Sequence, residues 1–338
     1  MSAIKQRLLG TSLVGLSILA LGLGAAMVLF DQYARQPLTV QNDSVFVITP
    51  GMSVTHLAAG LFEGGIISSA GSFSYYARVA NWVEDTSIKA GEYELRPGDT
   101  VGEVVLRFQS GEVIQHRLTF PEGWTVAQWR DHMRMQPGIV ASDLATDMAL
   151  MRAIDPAIDY APEGMFYPDT YYYRRGDSEL SLLRRAYLRM QSVLSEEWQN
   201  RGETPLSTAY ETLILASIVE KETGLASERK MVASVFVNRL VQGQRLESDP
   251  TVIYGIPDFD GDITRQHLRT ATPYNTYRRH GLPPTPICSP GRAAINAVLN
   301  PALSDYFYFV ARGDGTSQFS RTLEEHQAAV RRYQLGMP

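Results

Sequence analysis

The sequence predicts an α+β protein, and three observations carry that reading. Strand candidates are short and isolated, as in Val45-Phe46-Val47-Ile48 and Glu92-Tyr93-Glu94-Leu95. Helical patterns lie between them without the strand-helix-strand rhythm of a parallel sheet. A turn-and-cap sequence, Gly-x-Ser/Thr-Val, follows strand candidates and opens helices at Gly51, Gly98 and Gly123. Its unequal spacing marks a reused device rather than a solenoid repeat.

Composition narrows the class. The 338 residues carry 31 basic and 36 acidic side chains, for a net charge of −5, with 44% apolar and 20% charged residues. That average excludes a polytopic membrane protein, a disordered chain and a collagen-like repeat. The acidic balance argues against nucleic acid as a partner. A single cysteine, Cys288, permits neither an intrachain disulfide nor a cysteine zinc cluster. The six histidines are scattered, so no metal and no cofactor is expected. Neither a Gly-x-Ser-x-Gly elbow nor a phosphate-binding glycine loop occurs.

The average conceals one segment. Residues 8–30 carry no charge, and as a helix they span roughly 30–35 Å, the thickness of a bilayer core. Lys5 and Arg7 precede them without an acid, which places a 1–7 tail in the cytoplasm and the rest outside, an exported domain for which inner membrane and periplasm are the expected location. Gly24-Ala25-Ala26 also suits a signal peptidase, but signal-peptide cores run only about 7–15 residues. Both readings export the remainder.

The elements follow in order. Residues 31–43, with Pro37, read as a linker. After the strand at Val45, Ser53 caps a helix through Leu57 and Leu61-Phe62, and a second runs through Phe73, Tyr76 and Val79. Beyond Glu92-Tyr93-Glu94-Leu95, Thr100-Val101-Gly102-Glu103 forms a capping box. Residues 113–120 read as a strand, and Thr125-Val126-Ala127-Gln128 is a second capping box. The strand-helix-helix-strand order of residues 44–118 resembles a LysM-type carbohydrate-binding module; a structural spacer is the alternative. Residues 163–173 are dense in aromatics, suited to sugar stacking or to core packing. A helix from about 180 to 200 follows.

Thr204-Pro205 opens a helix that is apolar on nearly every face, so it should be buried. It ends in Glu220-Lys221-Glu222-Thr223-Gly224, with Gly224 as the expected stop, and Ser227 caps the next helix. Desolvation raises the pKa of a carboxyl on such an element, and a protonated carboxyl can protonate a leaving glycosidic oxygen. Glu222 lies about 200° round the helix and does not share Glu220's face. The plainer reading is that both glutamates end the helix in solvent. Beyond them, the loops through Ser248-Asp249-Pro250-Thr251, Tyr274-Asn275-Thr276-Tyr277 and Gly281-Leu282-Pro283-Pro284 are rich in turn formers and uncharged hydrogen-bonders, suited to a polyhydroxylated ligand. Residues 306–310 read as a buried strand and 322–333 as a closing helix.

These motifs, with Ala216-Ser217-Ile218-Val219-Glu220-Lys221-Glu222-Thr223, Val235-Phe236-Val237-Asn238-Arg239-Leu240 and Glu163-Gly164-x-Phe166-x-Pro168-Asp169-Thr170, resemble the YceG/MltG family of endolytic murein transglycosylases. The resemblance covers nearly the whole chain. It implies a larger catalytic domain at 119–338, with Glu220 catalytic and Asn238, Asp249, Thr251, Tyr254, Tyr274, Asn275 and Thr276 lining the cleft. It implies peptidoglycan glycan strands as substrate and cell-wall synthases as partners. Glu247, Thr285 and Gln318 depart from residues frequent in the family. A lytic transglycosylase needs one acid/base, because the muramic C6 hydroxyl is the nucleophile and a 1,6-anhydro end results. The alternatives are a muramidase-type hydrolase with Asp249 or Glu228 as second carboxylate, and a membrane-anchored binding scaffold.

Overall fold

The computed structural model describes residues 2–144, 146–257, 259 and 261–336, with side chains from residue 16 onward. Helix α1 (Ser2–Ala34) contains the apolar segment. Met1 and the side chains of residues 8–15 lie outside the described residues. From Leu16 to Leu29 the apolar side chains are exposed, and this helix is long and apolar enough to cross a membrane. The stretch 31–43 is not a free linker. The helix continues to Ala34, Phe30 and Tyr33 pack against buried side chains, and Leu38 is itself buried. Its aromatic and leucine side chains gain more from that core than from solvent.

The chain divides into two compact units. The first runs to His116 and includes Arg174–Gly176; the second holds Arg117–Tyr173 and everything from Asp177 on. After α1, the first unit contains β1 (Ser44–Ile48), α2 (Val54–Glu63), α3 (Ala70–Val83), β2 (Gly91–Leu95) and α4 (Val101–Ser110). Strands β1 and β2 pair antiparallel, with Phe46 opposite Tyr93. The helices close over Leu57, Leu61, Phe73, Tyr93, Val104 and Phe108. Buried Glu92 is paired with His116 and Arg175.

The turn-and-cap device has a conformational cause. Gly51, Gly98 and Gly123 adopt φ of 80°, 91° and 78°, which a side chain disfavours. Two residues later Ser53, Thr100 and Thr125 accept the backbone N–H three positions on. Both expected capping boxes are complete, closed by Glu103 and Gln128.

The second unit begins at Arg117, within β3 (His116–Thr119), followed by α5 (Val126–Arg134), α6 (Asp147–Ile154), β4 (Thr170–Tyr173) and α7 (Glu179–Gln199). Strand β3 pairs with β4 and is shorter than the expected 113–120. Ile114 instead donates its N–H to Glu92. The aromatic run supplies packing: Phe166 and Tyr173 are buried, and Trp129 lies between Phe166 and Phe120, stacked on the latter at 3.8 Å. Helix α8 (Ala209–Glu222) is enclosed by α7, α9 (Arg229–Val241), α10 (Asp249–Tyr254) and α12 (Arg292–Leu299), as its all-round apolarity requires. Helix α11 (Arg265–Arg269) lies in the intervening loop.

Three helix ends differ from expectation. Helix α8 starts at Thr208, because Glu211 completes a capping box there that Thr204-Pro205 cannot offer. It stops at Thr223, whose extended backbone ends it one residue before Gly224. Helix α9 starts after Glu228 rather than Ser227. The expected strand at 306–310 is β5 (Tyr308–Ala311), half-buried, and it pairs antiparallel with β6 (Ser317–Ser320) before α13 (Leu323–Tyr333). The architecture is mixed α+β, built on two-stranded pairs among the described residues.

Candidate active site

Glu220 stands in the last turn of α8. One turn earlier on the same face, Ser217 Oγ accepts the N–H of Ile287 at 2.9 Å, and Cys288 Sγ donates to the Ser217 carbonyl at 3.3 Å. The segment after Pro286 therefore lies along this face and delivers Gly291 N–H to Glu220 Oε2 at 3.0 Å. A second strip covers it: Gly123 N–H donates to Ser289 O at 2.9 Å, and Ser289 N–H returns to Trp124 O at 2.8 Å. Glu220's side chain is left 7% exposed, with Arg229 Nη2 at 4.0 Å.

This setting raises the Glu220 pKa above the ordinary carboxyl value. Burial is the main cause and the charge of Glu122 adds to it; the Gly291 N–H, Arg229 and Lys221 oppose it. A carboxyl so placed can hold a proton, deliver it and take one back. Glu122 was missed in the sequence, although it sits beside the turn glycine Gly123. Its carboxylate takes the place a Cβ on Gly291 would occupy.

Glu222 faces the other way, as the 200° offset requires. Ser248 Oγ donates to its Oε1 at 2.6 Å, and burial raises its pKa to about 7. Asp249 belongs to that side: it accepts from Tyr277 Oη at 2.8 Å and its charge acts on Glu222. Glu228 Oε1 accepts the Ser317 N–H at 2.9 Å. The charges that act on Glu220 come from Glu122, Arg229 and Lys221, not from Asp249 or Glu228.

The other expected cleft residues divide by access. Thr251, Asn275 and Thr276 are buried, at 0%, 0% and 2% exposure. Thr251 and Thr276 hydroxyls meet at 2.8 Å, and Asn275 Nδ2 donates to the carbonyls of His267, Leu268 and Thr270. Asn238 Nδ2 is committed to the carbonyls of Ser304 and Tyr306. These four hold the loops in place. Tyr254 and Tyr274 are only partly buried, pack edge-to-face at 4.8 Å, and line a cavity of about 420 Å³ with Glu163, Arg130, Arg134 and Thr285. Thr285 is hydrogen-bonded to Tyr274 Oη at 2.8 Å. Glu163 accepts from Tyr254 Oη at 3.1 Å and from the Val126 N–H that opens α5 at 3.2 Å.

The chain is similar to known proteins over most of its length. The chain is 27% identical over 303 residues to an endolytic murein transglycosylase of Bacillus subtilis, covering 85% of this chain and 83% of that protein. It is 28% identical over 317 residues to an endolytic murein transglycosylase of Streptococcus pneumoniae, covering 84% of this chain but only 57% of that longer protein. The crystal structure of a yceG-like protein from Listeria monocytogenes matches with a TM-score of 0.52 at 29% identity, over 86% of this chain and 99% of that one. The sequence pattern of the YceG-like family matches residues 46–332, and the chain belongs to that family.

Proposed function

We propose that this protein is an endolytic murein transglycosylase, cutting the MurNAc-GlcNAc bond within nascent glycan strands. The observation that carries the reading is the desolvated carboxyl of Glu220, at the rim of an otherwise apolar helix and held by one backbone N–H. The curated relatives' names supply the substrate class.

In this mechanism Glu220 begins protonated. It gives its proton to the glycosidic oxygen as the C1–O bond breaks, then as carboxylate takes the proton of the C6 hydroxyl. That hydroxyl closes on C1 to give a 1,6-anhydro end, and Glu220 is reprotonated with no water consumed. Intramolecular attack replaces the second carboxylate of an ordinary glycosidase, because the nucleophile is already in place. The 2-acetamido group stabilises the oxocarbenium-like centre. Tyr254 and Tyr274 offer ring faces and hydroxyls to the sugar. Asp249, exposed on the Glu222 side, serves a more distant contact, while Asn238, Thr251, Asn275 and Thr276 act by positioning the loops. No cofactor or metal is called for.

Helix α1 anchors the protein in the inner membrane, with the N-terminus cytoplasmic and everything after α1 periplasmic. The βααβ part of the first unit is LysM-like and brings glycan to the enzyme, and cell-wall synthases are its partners in the wall. The test is mass spectrometry of glycan strands digested with the parental protein and with Glu220→Gln. Anhydro ends, one water lighter than reducing ends, are expected from the parent and none from the variant. Reducing ends would point to a hydrolase. Binding without cleavage by the parent would point to a scaffold.

A further inference from the structure

We propose that Glu122 is a positioning residue for Glu220, a second carboxylate that sets how readily Glu220 gives up its proton. The proposal rests on the transglycosylase reading above and names a regulator of its central group.

The geometry starts from Gly291. Its φ of −79° is open to any residue, so the backbone does not demand glycine there. Proximity does. A Cβ on Gly291 would coincide with the Glu122 carboxylate, while the Gly291 N–H grips Glu220 Oε2 at 3.0 Å. Glu122 and Glu220 therefore meet at one residue, their nearest oxygens about 7 Å apart or less by covalent geometry. The backbone beside Glu122 is fixed by its neighbours. Gly123, in the left-handed region at φ 78°, turns the chain, and the Gly123–Ser289 and Ser289–Trp124 hydrogen bonds lock the turn to the segment before Gly291.

Four groups face Glu220 from the elements around it. Lys221, on its own helix, points its Nζ towards Gly123 O at 3.5 Å. Arg229, from α9, approaches to 4.0 Å. Cys288, in the loop along α8, is a buried thiol. Glu122 comes from the turn before α5. The two cations favour ionised Glu220; Glu122 opposes them, and its effect adds to that of burial. Burial already favours the proton, and Glu122 extends the pH range over which Glu220 keeps it beside Arg229 and Lys221. As carboxylate it is then the stronger base toward the C6 hydroxyl.

The test is the pH profile of turnover by the full chain in detergent micelles on isolated glycan strands. Activity needs protonated Glu220, so it falls as pH rises through that group's pKa. Removing the like charge in Glu122→Gln lowers that pKa, and the alkaline limb should move acid-ward by roughly 0.5–1.5 pH units, from Coulomb interaction at this distance. The displacement should shrink at high salt, because Glu122 is exposed. Gly291→Ala keeps the charge but drives it away, and should move the limb in the same direction. It keeps the proposal testable if Glu122→Gln does not fold. An unmoved limb in the folded variants, however slow they are, would overturn the proposal. Loss of all cleavage in Glu122→Gln, with reducing ends from the parent, would overturn it too, making Glu122 a hydrolase's second carboxylate. The transglycosylase reading fails separately, if the parent leaves no anhydro ends or Glu220→Gln still cuts.

Discussion

Glu163 makes stability depend on pH in a direction opposite to that of the ion-paired carboxylates Glu92 and Glu179. It is 7% exposed, and burial pushes its pKa from 4.5 to about 7 against the hydrogen bonds from Tyr254 and Val126. The unfolded chain releases this proton near 4.5, whereas the folded protein keeps it to about 7. Between those values the folded state binds more protons, so stability falls as pH rises. The contribution is whole below the unfolded pKa and lost once pH passes the folded one. The shift corresponds to about 3 kcal/mol. Glu163→Gln keeps the shape and one acceptor but cannot titrate, so the gap between variant and parent should change by about that amount between pH 5 and 8. For a domain of this size that is roughly 6–12 °C in Tm. Tryptophan fluorescence during thermal unfolding suits the measurement, because Trp124, Trp129 and Trp198 lie in the second unit and Trp82 in the first. Two melting curves that stay parallel across this pH range would refute the reasoning.

Three further outcomes follow from the same structure. Cys288 is fully buried and burial pushes its thiol pKa upward, so a maleimide should label it only after denaturation; rapid labelling of the native protein would contradict its placement. Gly164 has φ 74° and its missing Cβ faces Pro286, so Gly164→Ala should cost at least about 2 kcal/mol and lower the second unit's Tm by several degrees in calorimetry. Glu179 is buried against Arg130 at 2.6 Å and accepts from Ser142, so Glu179→Ala should cost about 3–5 kcal/mol in urea unfolding by stranding Arg130.

Features legible in the sequence were those whose cause is local. A glycine that must turn with positive φ, followed by a hydroxyl cap, announces itself within four residues, and all three copies formed. The burial of α8 was legible because apolar residues on every face leave no side for water. What could not be read depends on segments distant in the chain. Strand β6 exists only against β5, and its sequence, Ser317-Gln318-Phe319-Ser320, has no strong strand preference of its own. Glu122 meets Glu220 through Gly291, a contact for which the glycine's missing Cβ is the sole sequence trace. A motif match likewise cannot separate a side chain that faces a ligand from one that holds a loop. Asn275 and Tyr274 are neighbours in one motif, yet the first spends its amide on three carbonyls while the second opens onto a cavity.

The pair Glu220 and Glu222 shows why a raised pKa alone does not identify a catalytic acid. Both carboxyls are desolvated, two residues apart, at the end of one helix. Burial alone would nominate either. Their partners distinguish them. Glu222 receives a hydroxyl hydrogen bond from Ser248 at 2.6 Å, which ties α8 to the start of α10 and would be lost if the carboxyl moved to serve a substrate. Glu220 receives one backbone N–H from Gly291, and that amide fixes the carboxylate without competing for its proton. A backbone donor steadies one oxygen in both protonation states, while the other lies 4.0 Å from Arg229 Nη2. The acid/base role proposed above asks for one steadied oxygen and one free to exchange a proton, and on this helix Glu220 is the carboxyl that offers it.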